Sequence, residues 1–272
     1  MKILSYKEDI YTLGCMTAFT FFILFPFFGN IPLTIIPFWL IFSFHFSFCV
    51  NLINHNHAHV PVFKTSLLND LFDYWLTLLR GGSAVFIKII HNINHHQFTG
   101  AKDDWFSPEN QQGKNTITGS LLYLFVTVKR FKTGARPYYS KMGADFLRKQ
   151  KIERVLLVAF ILTLSIISLK KFVLFVLLPL VFGNFFLVYT NLIFHKGGAP
   201  EDKYNHSYNF TNALENTLYF NGGYHTVHHI NPSLHWSVLP VKHREIVAKE
   251  IKPELITNSM FLHAIKLIDH HK

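Results

Sequence analysis

Three short stretches hold histidine more densely than packing requires: NHNHAH from Asn54 to His59, HNINHH from His91 to His96, and YHTVHH from Tyr224 to His229. Residues four apart share one face of a helix, so His55 and His59 are placed to meet one metal ion, and so are His91 and His95. The doublets His95-His96 and His228-His229 suit two neighbouring ions, with one residue of each doublet aimed at each. A fourth stretch, TNLIFH, puts Asn191 and His195 on one helical face. With His225 the set is nine histidines and an amide. Cys15 and Cys49 lie in apolar runs with no CxxC pair, so nitrogen and oxygen must hold any metal. Imidazole without thiolate suits iron, copper or zinc. Zinc sites usually stop at four ligands, whereas this many histidines suit a pair of ions that tend to six-coordination and keep positions open for oxygen. Two irons are the best match by ligand count.

The elements that carry these residues are read from hydropathy. Half of the 272 residues are hydrophobic and 29 are Phe, which strains a water-soluble reading. Four runs are long enough to cross a bilayer: Ile10 to Phe28, Ile31 to Ile53, Ile152 to Leu169, and Phe172 to Phe194. Gly29 and Asn30, with Pro32 beyond, turn the first pair, and Lys170 and Lys171 turn the second, giving two hairpins. Lys2 and Lys7 precede the first run as in a signal sequence, but no A-x-A-like cleavage site follows, so a retained anchor is expected. With the amino terminus inside, residues 1–9 hold 2 basic residues, 54–151 hold 13 and 196–272 hold 8, leaving three of the 26 elsewhere. Basic residues accumulate on the cytoplasmic side, which puts every histidine cluster there.

Between the hairpins, Phe63, Leu67, Leu68, Leu71, Phe72, Trp75, Leu76 and Leu79 recur at helical spacing, as in a helix lying in the interface. Gly81 and Gly82 end it, and a fresh helix from about Ser83 is expected to carry His91 and His95 one turn apart. A second interfacial helix runs from Ile117 toward Lys129 and Arg130, and Asn212 with Glu215 stands at capping-box spacing. No internal repeat is visible, so residues 1–272 read as a single domain. The fold class expected is an all-α integral membrane protein, with four transmembrane helices in two hairpins, interfacial helices and a cytosolic histidine-rich di-iron cap. The formal charge of +10 fits this topology without a nucleic-acid partner.

The boxes HNHAH, HNINHH and HTVHH resemble the HxxxH, HxxxHH and HxxHH boxes of the membrane fatty acid desaturase superfamily, over about residues 40 to 245. DDW at Asp103 to Trp105 and NGGYHTVHHINPSLHW at Asn221 to Trp236 are similar to its shorter bacterial members. The resemblance implies a four-helix bundle with a di-iron centre on its cytoplasmic side. The ligands implied are His55, His59, His91, His95, His96, His195, His225, His228 and His229, with Asn191 and His195 as an additional NxxxH pair. His57 is off the HxxxH face and reads as an outer or structural residue. His206 is a lesser candidate for the place of His195, and His45, inside a span, reads as a core residue. Ligating histidines usually donate their other ring nitrogen to a carboxylate or carbonyl, for which Asp103, Asp104, Asp202 and Glu215 are candidates. His235 and Trp236 either line the site or pack, and His270 and His271 read as loose.

The reading that follows is an oxygen-dependent lipid desaturase in which two iron ions use dioxygen to put a double bond into an acyl chain. A lipid or alkyl hydroxylase of the same superfamily is the close alternative. The chain shows no cysteine set for an iron-sulfur cluster and no glycine fingerprint for flavin or nicotinamide. Electrons are therefore expected from a separate ferredoxin or b-type cytochrome with its reductase. A metal transporter would need ionisable residues along mid-span and a haem anchor would need facing histidines there, and the spans offer little except His45. The short chain points to a bacterial inner membrane.

Overall fold

A hydrophobic helix that reverses the usual rule, with polar residues inside and apolar ones outside, is the pattern a lipid-facing bundle requires. In a computed structural model, which describes residues 3–111 and 117–269, helix α2 (Ile36–His59) has this pattern. Ser43, Ser47, Asn51 and Asn54 are buried along one stripe, while Phe38, Ile41 and Phe42 are exposed. The chain is mostly helical. Among the described residues three helices are long and apolar enough to cross a membrane: α1 (Asp9–Phe28), α2, and a later one at Leu169–His195. The helix Ala144–Ile167 occupies the expected third run but carries Lys151, Glu153 and Arg154 and is not among these three. Lys2, His270 and His271 lie outside the described residues.

The chain divides into two compact units, one of residues 1–87 and 142–187, the other of 88–141 and 188–272. In the first, α1 and α2 form a hairpin in which Trp39 Nε1 donates to the Phe22 carbonyl at 2.9 Å. Helix α2 starts at Ile36 rather than Ile31, because Pro37 fits a helix's first turn, where its missing N–H leaves no bond unmade, and Pro32 opens a turn before it. Helix α3 (Ser66–Arg80) follows as expected and stops at Gly81, whose φ of 68° is left-handed. Its buried Arg80 donates from Nε to Asn51 of α2 at 3.0 Å. Burial lowers the Arg80 guanidinium to about 10, against the opposing pull of Glu153.

In the second unit the fresh helix begins at Lys88, not Ser83, and is a π-helix to His95 with one α-turn after it. A loop to Gln111 leads toward α4 (Ile117–Gly134), the expected second amphipathic helix. The Tyr123 hydroxyl of α4 donates to the Phe106 carbonyl at 2.8 Å, and Arg130 donates to Asn110 and to the Lys102 carbonyl, both at 2.6 Å. We number Ala144–Ile167 as α5 and Leu169–His195 as α6. Beyond α6 come α7 (Ala213–Leu218), α8 (His225–Ile230) and α9 (Met260–Asp269). Asn212 caps α7 by accepting from the Glu215 N–H at 3.0 Å, as its spacing predicts. A two-residue parallel ladder pairs Asn209–Phe210 with Ile256–Thr257, a small exception to the all-α expectation. Val227 of α8 packs on Leu239, Val247, Ile251 and Leu255 to make a core for this unit.

Candidate metal centre

The π-helix decides how the second box is divided. Its i→i+5 backbone bonds widen the turn and bring residues five apart onto the same side, where an α-helix sets them about 140° apart. His91 Nε2 accordingly lies 3.0 Å from His96 Nε2, and these two gather with His228. His95 is turned to a different group, with His195, His225 and His229. His91 and His95, expected on one face, thus fall in different groups, and so do the two members of each doublet. Within each set the nitrogens lie within 4.8 Å of one another. His55 and His59 end α2 in the other unit, one turn apart, with ring centroids 5.5 Å apart.

Hydrogen bonds behind the rings fix which nitrogen is offered. Asp104, fully buried, accepts from His95 Nδ1 at 2.6 Å and from the Gly100 and Phe106 N–H groups at 2.6 and 2.8 Å. Burial alone would raise the Asp104 pKa, but the donors that face it, the His95 ring and the Phe106 N–H, outweigh it and hold the carboxyl below its usual range. An ionised carboxylate only accepts, so the proton of His95 sits on Nδ1 and Nε2 keeps its lone pair. His195 is set the same way, because its Nδ1 donates to the His206 carbonyl at 3.1 Å. His195 Nε2 and His229 Nε2 then converge on His225 Nε2 at 3.0 and 3.1 Å. His95 Nε2 is buried with no hydrogen-bond partner among the described residues.

Such an arrangement is costly unless something shares the lone pairs. Four imidazoles presenting nitrogen to one point fit a metal cation, and two of the four have their outer nitrogen engaged as ligating histidines do. Burial, then the neighbouring histidines, holds His229 well below its ordinary pKa, so it stays neutral as a ligand must. Asn191 is buried one turn before His195 on α6.

His206 is buried with its ring centroid 5.1 Å from that of His229, and burial, with His95 nearby, lowers it to about 4. His57 accepts from the Val62 N–H at 3.1 Å and faces Asp73 at 3.4 Å. His45 approaches Cys49 Sγ at 3.7 Å, and His235 caps a turn by accepting from the Ser237 N–H at 3.3 Å. Asp202 caps the Tyr204 and Asn205 N–H groups, Glu215 accepts from the Met260 N–H at 2.8 Å, and Asp103 is exposed. Of the four carboxylates, Asp104 reaches a box histidine. Sequence reasoning missed Asn94, which donates to the Asp103 carbonyl at 3.1 Å and accepts from the Trp105 N–H at 2.8 Å, stapling the DDW loop under the π-helix. It also missed the His206 carbonyl, for which a backbone group leaves no signal.

A family model described as fatty acid desaturase matches residues 29–257, a span that contains all three boxes. No curated protein matches the chain.

Proposed function

We propose a reaction from a settled premise: the chain belongs to the fatty acid desaturase family. It is a desaturase-family oxidoreductase, and we read it as a membrane-bound, oxygen-dependent desaturase of an acyl chain. The observation that carries the reading is the pair of histidine groups, fed by the split doublets His95-His96 and His228-His229, with Asp104 fixing one tautomer.

In this proposal His95, His195, His225 and His229 hold one iron ion, with Asn191 beside them. His91, His96 and His228 hold the second, and His55 and His59 serve as ligands by their HxxxH box. Bound there, iron supplies the dioxygen chemistry needed to remove hydrogen from an unactivated carbon. The chain's part is to position. Asp104 and the His206 carbonyl keep the proton off the inward nitrogens of His95 and His195, and Phe106, with its ring 5.3 Å from that of His95, keeps water from the buried side. Helix α5 would be the fourth span, with its charged end at the interface and the histidines on the cytoplasmic face. Electrons would come from a separate ferredoxin or b-type cytochrome.

Loss of a second hydrogen from the neighbouring carbon gives an alkene, and return of oxygen gives an alcohol, so the products distinguish desaturase from hydroxylase. Total lipids from cells expressing the wild type or His95→Ala, with a donor co-expressed, are compared by mass spectrometry. A species lighter by two hydrogens, present with wild type alone, is the expected result. A species heavier by one oxygen would replace the reading with hydroxylation.

A further inference from the structure

Helix α2 ends in three histidines, His55, His57 and His59, and the middle one cannot share the face of the other two. At 3.6 residues per turn, His57 points about 200° away from each neighbour. Where it points is fixed on both ring nitrogens. The Val62 N–H donates to Nδ1 at 3.1 Å, which puts the ring's proton on Nε2, and Nε2 faces Asp73 Oδ1 of α3 at 3.4 Å. The other carboxylate oxygen, Asp73 Oδ2, receives Lys149 Nζ of α5 at 2.5 Å, and Lys149 also reaches Asp70. The side chains of His57 and Asp73 are only 5% and 7% exposed, and the Phe72 ring meets His57 edge-on at 4.9 Å.

We propose that His57, Asp73 and Lys149 are a positioning brace that sets the rotation of the last turn of α2 and thereby aims His55 and His59. A helix's final turn has few bonds of its own to hold its phase. Pinning the one histidine that faces away fixes the two that face the metal, and a metal site needs its ligands within about 0.5 Å and 10–20° of their working geometry. Each member has a separate task. Asp73 is the acceptor for His57, and Lys149 offsets the buried charge of Asp73 while leaving one oxygen free for the ring. The brace rests on the proposed role of His55 and His59 as ligands, and it adds three residues that the boxes do not contain as ligands.

The test uses the full chain in nanodiscs, loaded with Fe(II), and follows iron release into a ferrous chelator. Wild type should release iron in two phases, and His59→Ala should abolish one of them. In Asp73→Asn, and in His57→Phe, which keeps the ring against Phe72 without its nitrogens, that same phase should accelerate by about tenfold or more. The other phase should be unchanged, and Asp73→Glu should restore part of the slow release. Equal acceleration of both phases with a lowered unfolding midpoint would mean a merely structural contact and overturn the brace, as would unchanged release in both variants. Wild type that binds no iron would instead remove the ligand reading, and that result is visible before any brace variant is made.

Discussion

At the scale of single residues, Asp104 carries the most chemistry outside the boxes. Three N–H donors converge on one carboxylate, and one of them is the ring of His95. The His95 ring and the Gly100 N–H share Oδ2 while the Phe106 N–H takes Oδ1, so an amide that keeps the Phe106 bond turns its own N–H toward both the ring and Gly100. His95 would then accept at Nδ1 and carry its proton on Nε2, where the metal's electron pair should be. Asp104→Asn should therefore weaken metal binding by about 10–100-fold, the usual scale for such outer partners, while the fold survives. Titration calorimetry with Fe(II) or Co(II), beside a thermal unfolding curve, separates the two effects. Unchanged affinity would mean that Asp104 serves the DDW loop alone. Four acids stood as candidates from the sequence, and nothing in their spacing chose among them. The choice was made by the turn at Gly100, whose φ of 83° brings the loop under His95 and whose own N–H joins the site.

At the scale of elements, close helix contact holds the box-bearing helix in place. A Cβ at Gly183 of α6 would lie 2.8 Å from the backbone carbon and oxygen of Ser47 in α2, and Ser47 Oγ donates to the Pro179 carbonyl at 2.7 Å. Gly183→Val should lower stability by about 1–3 kcal/mol, since two packed backbones cannot yield as a flexible side chain does. Gly14→Ala is the control, because nothing stands within 4 Å of its added Cβ. A shift in the thermal midpoint for Gly183→Val alone is expected, and equal midpoints would show that the helices can separate freely. Much at this scale was legible beforehand. The apolar runs gave α1 and most of α2, the period of Leu67 to Leu79 gave α3, and Gly81 marked its end. The π-helix was not legible, because Lys88 to His95 reads equally well with α spacing. The wider turn there brings His91 Nε2 to 3.0 Å from His96 Nε2.

At the scale of the whole molecule, a protein that buries this many imidazoles should be sensitive to mild acid when it holds no metal. His206 is lowered to about 4 and His229 is lowered well below its ordinary value, both chiefly by burial. Both are neutral in the folded chain at neutral pH. In the unfolded chain they take up protons near 6.5, so from about pH 6.5 down to about 4 the unfolded state binds protons that the folded state refuses. Stability must therefore fall as pH falls through that window. Asp104 acts lower, since its depressed carboxyl contributes stability that is lost only as pH falls through its folded pKa. Acid sensitivity should begin with the histidines, well above the carboxylate range. Metal changes the outcome, because an ion that binds neutral imidazole stabilises the folded state and resists protonation until protons displace it. Thermal unfolding between pH 7 and pH 5, with and without Fe(II), should give a midpoint that drops steadily for the metal-free chain and a flatter curve for the loaded one. A flat metal-free curve would mean that water reaches these rings, and the dry histidine core would have to be abandoned.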